Sequence, residues 1–209
     1  TIGTYGRGIY SRVNSGTTTV TNSGTITTTN QNGYAINSSG NSGTTNITNS
    51  GTIATSEQYG YGIWSQNQAS QGTSTITNSG TITTGERDSM GIYSTSNSGT
   101  TNITNSGTIT TSGSSGSQGI QSNGNSGTAN ITNSGTITTS GQYSHGMYSY
   151  ANTGTETFTN SGTITTSGSN AAGIFSQSNS GTANITNSST ITTSGSDSYG
   201  IYSSEQASG

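Results

Sequence analysis

Three short motifs recur along this chain at spacings of 27, 28 or 29 residues, and that periodicity constrains the fold more than any other feature. The first is Gly-Ile-aromatic-Ser, with its apolar residue at Ile9, Ile36, Ile63, Ile92, Ile120, Met147, Ile174 and Ile201. The second, Asn-Ile-Thr-Asn, centres on Val20, Ile47, Ile76, Ile103, Ile131, Phe158 and Ile185. The third, Gly-Thr-Ile-Thr-Thr, centres on Ile26, Ile53, Ile82, Ile109, Ile137, Ile164 and Ile191. Fixed self-similarity at such a period is the signature of stacked repeats. Each unit is short, rich in Thr and Ile, and bounded by Gly, Asn or Ser, which reads as strand and turn. No stretch has helical periodicity.

Alternate residues of a strand share a face, so the position two after each central apolar residue also points inward. After the first motif it is always Ser, from Ser11 to Ser203. After the third it is always Thr, from Thr28 to Thr193. After the second it is always Asn: Asn22, Asn49, Asn78, Asn105, Asn133, Asn160 and Asn187. A parallel β-solenoid accounts for all three columns. Residues 1–209 form one repeat domain of about seven coils of ~27 residues, three strands per coil, stacked ~4.8 Å apart. Superposed Asn side chains form an amide ladder of the kind that strengthens stacked β structure. The Gly after each Asn-Ser pair is expected to turn a corner at positive φ; Ser189 stands in its place in the last coil.

Composition removes most functional classes. Thr, Ser, Gly and Asn supply 142 of the 209 residues, 22% are hydrophobic and 4% charged, and Pro and Cys are absent. Ordinary globular domains carry about 45–50% apolar residues. No run approaches the ~20 apolar residues of a membrane-spanning helix. Three Arg and no Lys leave nothing to cluster against phosphates. With no Cys, neither a disulfide framework nor a thiolate metal site is available. No cofactor, metal, nucleic acid or membrane insertion of this segment is expected.

The stretch Ile103–Thr111, ITNSGTITT, followed by Gly119-Ile120, resembles the repeats of autotransporter passenger domains and related secreted bacterial adhesins, and the likeness runs through essentially the whole chain. It implies a right-handed parallel β-helix, export to the bacterial cell surface, and a part in adhesion, aggregation or surface coating. The chain shows no signal peptide, initiator Met or anchoring barrel, so a mature subunit or a segment of a longer surface protein is expected.

Catalysis is not expected. Of the acids Glu57, Glu86, Asp88, Glu156, Asp197 and Glu205, Glu57 and Glu86 are neighbours in successive coils but Glu156 lies on another face, and His145, with no nucleophile or second ligand near it, reads as a loop residue. Glu86, Arg87 and Asp88 share one turn, solvated or a weak cation site. Most charges, with Tyr59, Tyr61, Tyr143 and Tyr199, fall in the connection after the third motif, where a rigid scaffold displays variable loops.

Two outward faces are candidate surfaces. The residue after each first-motif apolar residue is aromatic at Tyr10, Trp64, Tyr93, Tyr148, Phe175 and Tyr202, interrupted by Asn37 and Gln121. Such a stripe stacks on itself, packs against another chain or receives a sugar; a host or cell-surface glycan is the candidate ligand, and Trp64 the residue whose loss weakens it. The third motif presents outward Thr pairs: Thr25 and Thr27, Thr81 and Thr83, Thr108 and Thr110, Thr136 and Thr138, Thr163 and Thr165, Thr190 and Thr192, with Ala54 opposite Thr52 as the exception. Two such columns resemble the Thr-x-Thr face of ice-binding β-solenoids, although Thr is also the ordinary polar choice on an exposed strand. The principal expectation is a non-enzymatic extracellular fibre or adhesin stalk. Neither end carries a capping helix, and open β edges invite pairing, so self-association, end to end or lateral, is expected.

Overall fold

The computed structural model describes residues 6–177 and 179–204. It is all β: 22 strands in three parallel sheets. The first-motif sheet contains β1 (Arg7–Arg12), β4 (Tyr34–Ser39), β7 (Tyr61–Gln66), β10 (Ile92–Thr95), β13 (Ile120–Asn123), β16 (Met147–Tyr150), β19 (Ala172–Gln177) and β22 (Tyr199–Ser204). The second-motif sheet contains β2 (Thr18–Asn22), β5 (Thr44–Asn49), β8 (Thr73–Asn78), β11 (Thr100–Asn105), β14 (Thr128–Asn133), β17 (Thr155–Asn160) and β20 (Thr182–Asn187). The third contains β3 (Thr25–Thr28), β6 (Thr52–Thr55), β9 (Thr81–Thr84), β12 (Thr108–Thr111), β15 (Thr136–Thr139), β18 (Thr163–Thr166) and β21 (Ile191–Thr193). Every strand pairs with the strand one coil away, and the registers superpose like on like: Ile103 on Ile76 and Ile131, Asn105 on Asn78 and Asn133, Thr108 on Thr81 and Thr136. The chain is therefore a β-solenoid of about seven turns with a period near 27 residues.

The three apolar columns meet along the axis. Ile36, Ile63, Ile92, Ile109, Ile137 and Phe158 are among the fully buried side chains of one continuous cluster. A buried Ile contributes on the order of 1.5–3 kcal/mol, so a narrow column of this kind offsets much of the ordering entropy of a polar chain. The first-motif glycine precedes the apolar residue because it, too, faces inward. A Cβ on Gly62, Gly91, Gly119 or Gly146 would lie 2.4–2.5 Å from the Cγ2 of Ile82, Ile109, Ile137 or Ile164 respectively. Ala35 is the one larger occupant of that column among the described residues, and it is fully buried.

The Asn ladder runs unbroken. Each side-chain amide donates to the Oδ1 of the next coil, Asn22 to Asn49, Asn49 to Asn78, Asn78 to Asn105, Asn105 to Asn133, Asn133 to Asn160 and Asn160 to Asn187, all at 2.7–2.8 Å. The inward Thr of the third motif pins the following loop, with the Oγ1 of Thr55, Thr111 and Thr139 donating to the carbonyls of Gly60, Ser117 and Ser144 at 3.2, 2.7 and 2.6 Å.

The corner glycines differ from the expectation. None of Gly24, Gly51, Gly80, Gly107, Gly135 and Gly162 has positive φ. They are glycines because corners stack: a Cβ on Gly51, Gly80 or Gly107 would stand 2.0, 2.0 or 2.1 Å from the carbonyl oxygen of the glycine one coil earlier. Ser189 introduces a Cβ at this position, and the ladder yields there. Strand β21 begins at Ile191, and the bond from the Thr163 N–H to the Gly135 carbonyl has no counterpart at Thr190 among the described residues.

Left-handed residues instead mark two other turns in register. After the third sheet they are Asn32, Tyr59, Asp88, Gly116, Tyr143, Asn170 and Asp197; after the first they are Val13, Gly40, Asn67, Ser96, Gly124 and Ala151.

Candidate functional site

The turn between the third sheet and the next first-sheet strand carries most of the chemical variety, and its geometry repeats. The left-handed residue projects at the edge, and the residue immediately after it turns a small side chain inward. Where this is Ser its hydroxyl ties the turn to the one before it: Ser89 Oγ accepts the Gly60 N–H at 3.1 Å and donates to the Glu57 carbonyl at 3.1 Å, and Ser117 Oγ accepts from the Ser89 N–H and donates to the Glu86 carbonyl. The loop backbone is thereby held while the outward residues are free to vary. Within Glu86-Arg87-Asp88, Arg87 Nε and the Asp88 carboxylate lie 3.2 Å apart, an exposed pair of small energetic weight. Among the described residues no three His, Asp or Glu side chains gather as a metal-ligating group.

The first sheet places two outward columns beside this edge. One begins at Arg7 and continues through Tyr34, Tyr61, Met90, Gln118, His145, Ala172 and Tyr199; the other is the aromatic stripe. Together they form two aromatic clusters, in which members of the stripe stack on one another and on the neighbouring column. In the first, Trp64 lies against Tyr34, Tyr61 and Tyr93, with ring centroids 4.6, 5.5 and 6.1 Å away. In the second, Phe175 stacks on Tyr202 at 4.8 Å and on the imidazole of His145 at 4.3 Å, with Tyr148 5.5 Å distant. Gln121 separates the clusters and Asn37 separates Tyr10 from Trp64; both polar side chains are buried. Tyr10 is covered by the Arg7 guanidinium, 4.2 Å from its ring centroid.

His145 is not a free loop residue. Its side chain is buried, and its Nδ1 accepts the Ala172 N–H at 2.9 Å. The short Ala172 lets the imidazole lean over the next coil onto Phe175. Desolvation lowers its pKa to about 4, so the ring is neutral and carries its proton on Nε2. Gln118 completes the arrangement, its Oε1 accepting the His145 N–H and its Nε2 donating to the Tyr143 carbonyl at 3.0 Å.

Around the second cluster lies a groove of about 400 Å³. Tyr143, Asn170 and Asp197, three successive left-handed residues, form one wall. Tyr148, Phe175 and Tyr202 form the other, with Gln177 at its rim, and His145 and Tyr199 lie between them. Of the sequence-derived stripe, Tyr148, Phe175 and Tyr202 thus share a cavity, whereas Trp64 and Tyr93 pack in the other cluster.

The Thr columns stand outward as expected. Thr25, Thr27, Thr81, Thr83, Thr108, Thr136, Thr163, Thr190 and Thr192 are exposed, and Thr110, Thr138 and Thr165 half-buried.

Two polar interior features escape a reading by motif. One is a second amide column at Asn14, Asn41, Gln68, Asn97, Asn125, Asn152 and Asn179. Its Oδ1 atoms accept backbone N–H groups of the preceding coil, as in Asn97 N–H to Asn125 at 2.8 Å, and its amides donate to the Ser three residues earlier, as in Asn97 to Ser94 at 2.8 Å. The signal was an amide five residues after each first-motif apolar residue. The other is Glu156, only 1% exposed. It receives hydrogen bonds from Ser149 and from the Asn152 amide, the latter at 3.0 Å. Burial raises its pKa to about 7 against the pull of those donors. Ala129 and Ala183 occupy its position in the adjacent coils and leave room for it.

Comparison with family models, with curated proteins and with solved structures finds no match to this chain.

Proposed function

We propose that this chain is a non-enzymatic, extracellular structural or adhesive rod of a bacterial cell surface, a fibre or stalk that lengthens by stacking coil on coil. The observation that carries this reading is the directional Asn ladder from Asn22 to Asn187, every amide donating toward the later coil. Such a ladder adds buried, mutually polarised hydrogen bonds to each backbone rung and resists bending and shear along the whole length. Because all donors point one way, a second copy fits only head to tail. Unpaired strand edges favour the same association. The localisation rests on the repeat's resemblance to secreted adhesins. Negative-stain electron microscopy of the purified chain at high concentration tests the assembly: filaments one solenoid wide are expected, and discrete short particles alone would overturn it.

A second reading is ice binding, favoured by the in-register exposure of the Thr columns. Freezing-point hysteresis in the purified chain, abolished by Thr108→Tyr with Thr136→Tyr, is its expected signature. No hysteresis would exclude it.

A further inference from the structure

The groove beside His145 combines features that a structural rod does not need. Its aromatic walls are not sealed: Tyr143 and Tyr199 are each 51% exposed. The polar groups at its margins are unspent. The side chains of Asn170, Gln177 and Asp197 make no hydrogen bond to the described protein, nor do the hydroxyls of Tyr143, Tyr148, Tyr199 and Tyr202. Elsewhere in this protein, amides near the first sheet are consumed by ladders, as at Asn97, Asn125 and Asn152. Asp197 is the single acid of the lining, and Lys and Arg are absent from it.

We infer that this groove binds a neutral oligosaccharide, laid along the solenoid axis across the coils of Tyr148, Phe175 and Tyr202. Pyranose rings present flat C–H faces to aromatic rings and hydroxyls to planar carboxylates and amides. Binding sites with aromatic walls and a few convergent polar groups are built for such ligands. Each coil advances ~4.8 Å along the axis, close to the length of one sugar residue, so successive rings meet successive rungs. Asp197, with no cation beside it, opposes uronate and sialate chains. The imidazole Nε2–H of His145 adds a donor that is neutral at physiological pH, because burial keeps the ring unprotonated. Binding here goes beyond the rod reading and does not depend on it, since the groove lies within one chain.

The test uses substitutions that other coils already carry at the same position, so the scaffold tolerates them. Tyr143→Asn copies Asn170, Asp197→Asn copies Asn170, and Tyr199→Ala copies Ala172. The wild-type chain is applied to a printed array of neutral, N-acetylated and anionic oligosaccharides, with choline and tetramethylammonium titrated separately by NMR. Retention of neutral or N-acetylated chains is expected, weakened about tenfold by Tyr199→Ala or Tyr143→Asn and less by Asp197→Asn, with unchanged circular dichroism. Trp64→Phe, in the other cluster, leaves it intact. Four results overturn the inference: no retention of any neutral oligosaccharide, retention of anionic chains only, retention insensitive to both aromatic substitutions, or binding of the quaternary ammonium probes without the saccharides. None of these bears on whether the chain forms filaments.

Discussion

The side-chain amide of Asn105 donates to Asn133 Oδ1 at 2.8 Å in the solenoid interior, while Asn105 Oδ1 accepts from Asn78 at the same distance. One residue therefore satisfies a donor above and an acceptor below. Asn105→Ala removes the acceptor of one Asn78 amide N–H, whose other bond runs to the Gly80 carbonyl, and the donor to Asn133 Oδ1; each buried group so orphaned costs about 1–3 kcal/mol. The expected outcome is a fall in unfolding free energy of several kcal/mol on urea titration. Asn130→Ala, which breaks the half-buried Asn130–Asn102 bond at 2.9 Å, should cost no more than about 0.5–1.5 kcal/mol.

Glu156 makes stability fall with rising pH. Its folded pKa, about 7, exceeds the ordinary 4.5, so between these values the folded chain binds more protons than the unfolded one. The stabilisation is complete below about pH 4.5 and is lost as pH rises through 7, by about 3 kcal/mol in all. Thermal melts of Glu156→Gln should lack this decline and exceed the wild type at pH 8.

His145 acts in the opposite sense. Its pKa falls from 6.5 to about 4 on folding, so its contribution is complete above 6.5 and is lost as pH drops toward 4, again by about 3 kcal/mol. Between about pH 4.5 and 6.5 the two residues oppose one another, and the wild-type melting temperature should vary little there. His145→Gln should expose the Glu156 slope alone. A wild-type profile that climbs steadily across this interval would contradict the pairing.

Stacked corners favour glycine without positive φ. Gly107→Ala drives a Cβ toward the Gly80 carbonyl and should destabilise by about 1–3 kcal/mol, as overpacking does. Gly124 has φ of +60° and nothing within 4 Å of a Cβ, so Gly124→Asn should shift stability by less than about 1 kcal/mol. Chemical denaturation of the two variants side by side checks the distinction.

The repeat made the architecture legible: period-2 alternation within each motif and identity between coils leave stacked parallel strands as the arrangement that gathers the Ile columns inside and superposes the second-motif Asn residues. The Asn22–Asn187 ladder and the outward Thr columns follow from the same counting, because in a strand position alone determines the face. What the sequence could not disclose depends on neighbours that the chain brings together through the third dimension. Gly51 and its equivalents look like turn glycines, yet their cause is a carbonyl one coil away. Trp64 and Phe175 occupy equivalent positions, and only packing against Tyr34 and Tyr61 on one side, and against His145 over Ala172 on the other, separates a closed cluster from an open groove. Burial of Glu156 likewise depended on the size of Ala129 and Ala183 beside it. Pattern assigns a side chain to the inside or the outside; volume and desolvation, which are properties of the packed assembly, decide what it does there.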